Sequence, residues 1–383
     1  MTSLAQPVAR QPVIEHMHTV AGQIGRHVQF MEVCGTHTMS AFRCGLHGLL
    51  PKNVTLLSGP GCPVCVTAQG DIDLMIDLAQ RPGVTMCTYG DMMRVPGSRG
   101  SLEAARSAGA DVRVIYSALD AVRIAEENGD HHPVVLAAIG FETTAPTAAA
   151  AVLRAHQQGL DNFSLLACLK LVVPAMTSVL TLRGRSRRGV EGFLCPGHVS
   201  AIIGSEAFRP VADEYGVPCV VGGFEPTLMS QAVVALLEQV RDGRHDLENL
   251  YPEVVTPAGN RIAQRWIDEV FEPVVTRWRG LGTIPESGLA IRKAYSGYDA
   301  RRVFELHPVV APEPDGCRCG EVIAGLVRPD QCRLFGERCN PTRPIGPCMV
   351  SGEGTCQAWF KYGRANAPKP SCQSVTPPET DGP

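Results

Sequence analysis

Short, almost wholly apolar runs alternate with amphipathic stretches over the first two-thirds of the chain. Phe30, Met31 and Val33 form one run, and Leu56 and Leu57 end a second. Val84 to Tyr89, Val112 to Tyr116, Pro133 to Ile139, Phe163 to Val173, Phe193-Leu194 and Cys219 to Val221 continue the series. Runs of this length read as strands, and the continuously apolar Pro133 to Ile139 as one buried on both faces. Between them, Ile72, Met75, Ile76 and Ala79 keep the helical period, and Ser101 to Ala108 is helical. Ser117-Ala118-Leu119-Asp120 has the capping-box pattern that starts a helix, and an alanine-rich helix follows Gly140-Phe141-Glu142-Thr143-Thr144. A further helix is expected to begin near Thr38 or Ser40. Strands alternating with helices predict parallel sheets in an α/β fold.

After Leu247 that rhythm stops. Ile262 to Trp278 is predicted as a helix anchored by Trp266 and Trp278, leading into a cysteine-rich region. Gln357 to Tyr362 fits a short strand or a short helix, and the proline-rich end from Ala367 is expected to be disordered.

An internal repeat adds to this. LLSGPGCPVCVT at 56–67 aligns with GFLCPGHVSAII at 192–203, and GVTMCTYGDMMRVPG at 83–97 aligns with GVPCVVGGFEPTLMS at 216–230. Two similar α/β halves are the expectation. Cys62 then faces His198, and Cys65 faces Ala201. Glu142 and Glu225 recur in Gly-Phe-Glu turns at strand ends, where α/β sheets place their chemistry. Each also fits a carboxylate that satisfies free N–H groups at a helix start.

A length of 383 residues suggests two or three domains, and a net charge of −3 argues against a dedicated nucleic-acid binder. No apolar h-region opens the chain and no run suits a membrane span, so a soluble, cytoplasmic protein is expected. In a reducing compartment its 15 cysteines read as metal-binding or catalytic rather than as a disulfide framework.

Six cysteines fall between Cys317 and Cys356: these two, Cys319, Cys332, Cys339 and Cys348. Glycines and prolines crowd around them, so something other than an apolar core must hold the segment. Four thiolates can each ligate one iron of a cubane, and the intervals Cys317-x14-Cys332-x6-Cys339-x16-Cys356 are loop-like. Zinc, disulfides and free thiols are the alternatives, although the paired CxxC knuckles of a zinc ribbon are missing. Two cysteines beyond a cluster's need suggest an electron relay.

Two stretches near the start carry the remaining thiol chemistry. Cys34-Gly35-Thr36-His37 leaves a strand for a helix, where free N–H groups lend a thiol thiolate character and His37 is a proton partner. A buried turn cysteine is the plainer reading, and Cys44 and His47 read as packing residues. Cys62-Pro63-Val64-Cys65, after a strand and at a helix start, is a redox-active or metal-gripping arrangement. Arg183, Arg185, Arg187 and Arg188 read as a solvated loop, or as a docking patch for an anion or a partner.

FMEVCGTHT, SGPGCPVCVT, TYGDMMRVPG, GFETTAP, PGHVSAIIG, GGFEP, SGLAIR and the Cys317–Cys356 pattern resemble the HypD family of hydrogenase maturation proteins, from about residue 28 to 363. The resemblance implies two similar parallel-sheet α/β domains related by pseudo-twofold symmetry plus a cysteine-rich iron–sulfur domain. The corresponding bounds are 28–133, 134–250 and 251–366, with a tail at 367–383. It implies a scaffold for assembling the Fe(CN)2CO group of [NiFe]-hydrogenases rather than a conventional turnover enzyme. The expected form is a monomer that joins the chaperone HypC and receives cyanide from HypE, with HypF upstream.

By matching motifs, Cys34, Cys62 and Cys65 hold that transient iron, with His37 close by. Cys317, Cys332, Cys339 and Cys356 hold a [4Fe-4S] cluster, and Cys319 and Cys348 form a redox pair beside it. Glu142, His198, Glu225 and Glu353 are weaker candidates for ligand handling or proton transfer. Two rivals stand beside this reading: a stand-alone iron–sulfur thiol–disulfide oxidoreductase and a zinc-stabilised binding module.

Overall fold

The computed structural model describes residues 7–129, 132–183 and 189–363. Arg185, Arg187 and Arg188 and the chain from Ala367 onward, read above as a loop and a tail, lie outside these. Among the described residues the strands are β1 (Val28–Glu32), β2 (Val54–Ser58), β3 (Thr85–Thr88), β4 (Asp111–Val114), β5 (Val134–Gly140) and β6 (Phe163–Leu169). Then follow β7 (Phe193–Pro196), β8 (Cys219–Gly222), β9 (Leu247–Asn249), β10 (Phe271–Trp278) and β11 (Gly282–Ile291).

Two parallel sheets result, as the alternating pattern predicts. One runs β2-β1-β7-β8-β9 and the other β4-β3-β5-β6. In each, the first strand takes its successor on one side and all later strands on the other. The connections therefore reverse direction beside β1 and beside β3, which opens a crevice at the carboxyl ends of those strands.

A boundary at 133/134 does not separate these sheets. The four-stranded sheet is built wholly from residues 85–169 and is inserted between β2 and β7 of the other. The cause is pairing at a distance: Met31 pairs with Phe193 and Glu32 with Leu194, so the later apolar runs rejoin β1. The repeat divides accordingly. Its first pair of blocks sits on β2 and β7 of one sheet, flanking β1, whereas its second pair sits on β3 and β8 of different sheets.

Residues beyond 250 do not form a core of their own. Trp278, Ile284, Cys319 and Val322 belong to one apolar cluster with Val33, Cys65, Val135 and Phe193. The helix expected over Ile262 to Trp278 stops halfway, at Arg261–Val270, capped by Asn260. Pro273 cannot donate into a helix and its ring would meet a carbonyl one turn back, and Val274, Val275 and Thr276 favour extended backbone. The segment becomes β10, paired antiparallel with β11 through a turn whose Gly280 and Gly282 both have φ of 78°.

A helix at Pro7–Ile24, not expected from the sequence, buries Met17, Val20 and Ala21 and packs along the helix Pro226–Asp242. His16 Nε2 lies 2.8 Å from Glu238 Oε1 there. Elsewhere local patterns hold. Ser117 and Asp120 make the capping box, and Gln357 to Tyr362 falls in the helix Thr355–Tyr362. No helix among the described residues is long and apolar enough to cross a membrane.

Candidate metal and thiol-redox site

Cys34 stands at the carboxyl end of β1, beside the reversal point of the five-stranded sheet, and caps the helix Gly35–Arg43 in extended conformation. The turn after neighbouring β2 is pressed against it. Gly35 N–H donates to Gly61 O at 3.0 Å and Gly59 N–H to Glu32 O at 2.8 Å. Cys62 follows directly and caps the short helix Pro63–Val66, its sulfur accepting from Cys65 N–H at 3.2 Å. Cys62 and Cys65 are closed as a disulfide.

The Cys34 thiol faces the N–H groups of Thr36 and His37, as a helix start predicts, yet its pKa is pushed up to about 12. Burial is the main cause, with the Glu32 and Glu353 carboxyls adding to it. Burial thus outweighs the helix start, and in the absence of metal the thiol keeps its proton.

Glu32, which sequence reasoning missed, is almost completely buried. It accepts from Cys34 N–H at 3.0 Å and from the hydroxyls of Thr38 and Ser58, and burial raises its pKa to about 8. The available signal was an acid inside the apolar run Phe30-Met31-Glu32-Val33. Glu353 reaches the same turn from the far end of the chain. Thr36 Oγ1 donates to Glu353 Oε1 at 2.7 Å, and a Cβ on Gly35 would stand 2.5 Å from Glu353 Cβ. Only a glycine lets the two segments meet this closely.

His37 is buried with Nε2 3.0 Å from Gly223 O, so Nε2 carries the hydrogen. Nδ1 is left bare, buried and without a partner, and burial lowers the ring pKa to about 4. Phe224 lies between His37 and His198, with ring centroids 4.7 and 4.0 Å away. These rings thus gather at the ends of β1, β7 and β8.

Of the other two carboxylates, Glu142 serves a helix start, whereas the Glu225 side chain makes no cap hydrogen bond to the helix it precedes. Glu225 precedes Pro226–Asp242 and accepts from Phe224 N–H at 3.1 Å. Glu142 accepts from Val172 N–H at 2.9 Å at the start of Val172–Arg183, and burial lifts its pKa to about 7. Cys44 bonds to Ala41 O and His47 packs on Phe42, both in keeping with packing roles.

The six late cysteines line a single small cavity. Cys319 and Cys348 are its most buried members, on the helix Cys319–Ile323 and the turn Pro347–Met349. Their thiols touch each other, and Cys317 and Cys356 extend the chain of contacts on either side. Ile345 N–H points at the Cys339 sulfur (3.4 Å) and Cys356 N–H at that of Cys348 (3.2 Å). A Cβ on Gly346 would stand 2.6 Å from the Cys317 sulfur.

Among the described residues, no three His, Cys, Asp or Glu side chains converge as ligands of a single ion. A cubane takes one thiolate per iron, so its ligands surround a space instead of converging on a point. A thiol-lined cavity with N–H groups aimed at sulfur fits such a group. Finally, the helix Pro63–Val66 packs against both Cys319–Ile323 and Pro347–Met349. The disulfide therefore lies next to the elements that carry Cys319 and Cys348.

Parallel sheets with thiols at a strand-end crevice, backed by a second cluster of cysteines, define a cysteine-rich α/β protein. The chain belongs to the HypD family: the family model described as "Hydrogenase formation hypA family" matches residues 9–363. It is 46% identical over 368 residues to the hydrogenase maturation factor HypD of Rhizobium leguminosarum bv. viciae, covering 94% of each chain. Identity is 46% over 341 residues to hydrogenase maturation factor HypD2 of Bradyrhizobium diazoefficiens, with 88% of this chain and 90% of that one covered. For the HypD of Escherichia coli K12 it is 42% over 355 residues, covering 91% and 94%.

Proposed function

We propose that this protein is a cytoplasmic scaffold on which the Fe(CN)2CO group of a [NiFe]-hydrogenase is assembled, working with HypC and receiving cyanide through HypE. The observation that carries the reading is the stacking of the Cys62–Cys65 helix on the elements bearing Cys319 and Cys348, with the Cys34 turn bonded to Gly61 just before Cys62. Cargo iron would be held by Cys34 with Cys62 and Cys65 once their disulfide is opened, because soft thiolates suit iron carrying cyanide and carbon monoxide.

Opening that disulfide takes two electrons. A thiolate of the Cys319/Cys348 pair attacks one sulfur of Cys62–Cys65 to form a mixed disulfide, and the second thiolate resolves it. The late pair ends oxidised, and Cys62 and Cys65 end reduced. Cys317, Cys332, Cys339 and Cys356 would hold a [4Fe-4S] cluster, which would relay two electrons, one at a time, from an external one-electron donor to restore the late pair. The half-buried carboxyl of Glu353, 2.7 Å from Thr36 Oγ1, is the candidate to take the proton that Cys34 loses, while burial keeps His37 neutral and keeps the proton on Glu32.

Infrared spectra of the protein co-purified anaerobically with HypC test the reading. Cyanide and carbon monoxide stretches on iron are the expected result, and a brown complex without them would leave only an iron–sulfur thiol oxidoreductase. A colourless protein containing zinc would point to the binding module instead.

A further inference from the structure

Arg279 sits in the turn between β10 and β11, and its side chain is completely buried. Three of its groups are tied to the segment that follows Cys65. The backbone N–H donates to Val66 O at 2.9 Å, Nε to Thr67 O at 3.2 Å and Nη2 to Gln69 Oε1 at 2.9 Å. All three acceptors are neutral. Nη1 is buried and makes no hydrogen bond. The carboxylate within reach is Glu313, 3.9 Å from Nη1, and its side chain is 37% exposed. A cation taken out of water needs an anion close by, and a half-solvated carboxylate at that distance is a weak one.

The missing charge lies across a backbone contact. A Cβ on Gly320 would stand 2.7 Å from Gly280 Cα and 3.2 Å from Glu313 Oε2, so the turn carrying Arg279 rests on the helix carrying Cys319. The guanidinium also acts on the Cys317 and Cys319 thiols, favouring their charged forms.

We propose that Arg279 is the buried counter-charge of the cysteine cavity, and that its fixed positive charge raises the reduction potential of the metal–thiolate centre held there. Thiolates bound to iron bring net negative charge, and each added electron deepens it, so a fixed cation favours the reduced form. Because the same guanidinium is gripped by carbonyls just after Cys65, its placement also depends on the conformation of the Cys62–Cys65 turn. This inference rests on the cavity holding a [4Fe-4S] cluster.

The test is a redox titration, followed by electron paramagnetic resonance, of the full-length protein purified anaerobically. Arg279→Met is expected to lower the midpoint by at least about 59 mV, a tenfold change for a one-electron couple. Arg279→Lys, which keeps the charge, should restore most of that shift. Glu313→Gln should move the midpoint the other way, because it removes the anion that competes for Nη1. Opposite shifts from neighbouring substitutions cannot come from a general loosening of the fold. If Arg279→Met assembles no cluster, Arg279→Lys and Glu313→Gln decide. Midpoints unchanged within about twofold in the reduction equilibrium (~18 mV at 59 mV per tenfold) in variants that keep their cluster would overturn the inference alone. A wild-type protein without iron and sulfide would overturn the cluster reading and this inference with it.

Discussion

Gly61 and Cys34 touch backbone to backbone: a Cβ on Gly61 would overlap the Cys34 amide nitrogen and Cα. The turn that presents Cys62 and the turn that presents Cys34 are thus a single packed unit. Gly61→Ala is expected to push them apart. We expect a loss of about 2–4 kcal/mol in chemical denaturation, within the range of strained backbone and overpacking. Retention of cargo iron should fall in the same variant. A variant as stable as wild type would show that the two turns are not packed this closely in solution.

Cys34→Ala should abolish the infrared bands of iron-bound cyanide and carbon monoxide while leaving the brown colour, since the late cysteines do not depend on it. Cys44→Ala makes the control. That residue lies at the end of the same helix, and its loss should keep both signals at a packing cost of about 1 kcal/mol.

In the late cavity, Cys332→Ala and Cys339→Ala should lose iron and sulfide and loosen the region from 317 to 356, because metal binding and folding are coupled. Cys319→Ser should keep most of the iron yet impair maturation. Iron analysis with absorption spectra separates the outcomes, and loss of colour in Cys319→Ser would make Cys319 a ligand.

The Glu142 carboxyl supplies a pH test. Its folded pKa of about 7 lies above the ordinary 4.5, so the folded protein binds this proton more tightly than the unfolded chain does. Its contribution is present in full below pH 4.5 and is lost as pH rises to 7. Glu142→Gln keeps an oxygen for the Val172 N–H and cannot titrate. Urea unfolding across this range should show a flatter decline of stability in the variant, and an unchanged slope would assign the dependence to other groups.

What the sequence revealed and what it hid follow from the range of the forces involved. The turns around Cys34, Cys62 and Ser117 were legible because each is set by residues within a few positions of one another. Membership of the sheets was not legible, since β1 chooses between near and distant apolar runs by pairing Met31 with Phe193. Half of the segment from Ile262 to Trp278 was misjudged because the tryptophans taken as anchors outweighed Pro273 and the β-branched run Val274-Val275-Thr276, which speak against a helix. Glu32 and Glu353 meet at the Cys34 turn although 321 positions apart (353 − 32), and no local pattern signals that. Arg279 went unnoticed because its meaning lies in what surrounds it, not in its sequence neighbours.

The insertion of one sheet inside the other also orders events during synthesis. Residues 85–169 can complete their sheet as soon as they leave the ribosome, using connections of short range. The parallel pair β1 and β2 must wait, with one flank unpaired, until β7 and β8 emerge more than a hundred residues later. The crevice around Cys34 is therefore among the last features to form, and Glu353 completes it only after strands β1 to β11 have all been made. Iron met by a shorter nascent chain would find scattered thiols instead of a shaped site, so on the proposed function cargo loading would have to wait for these late segments.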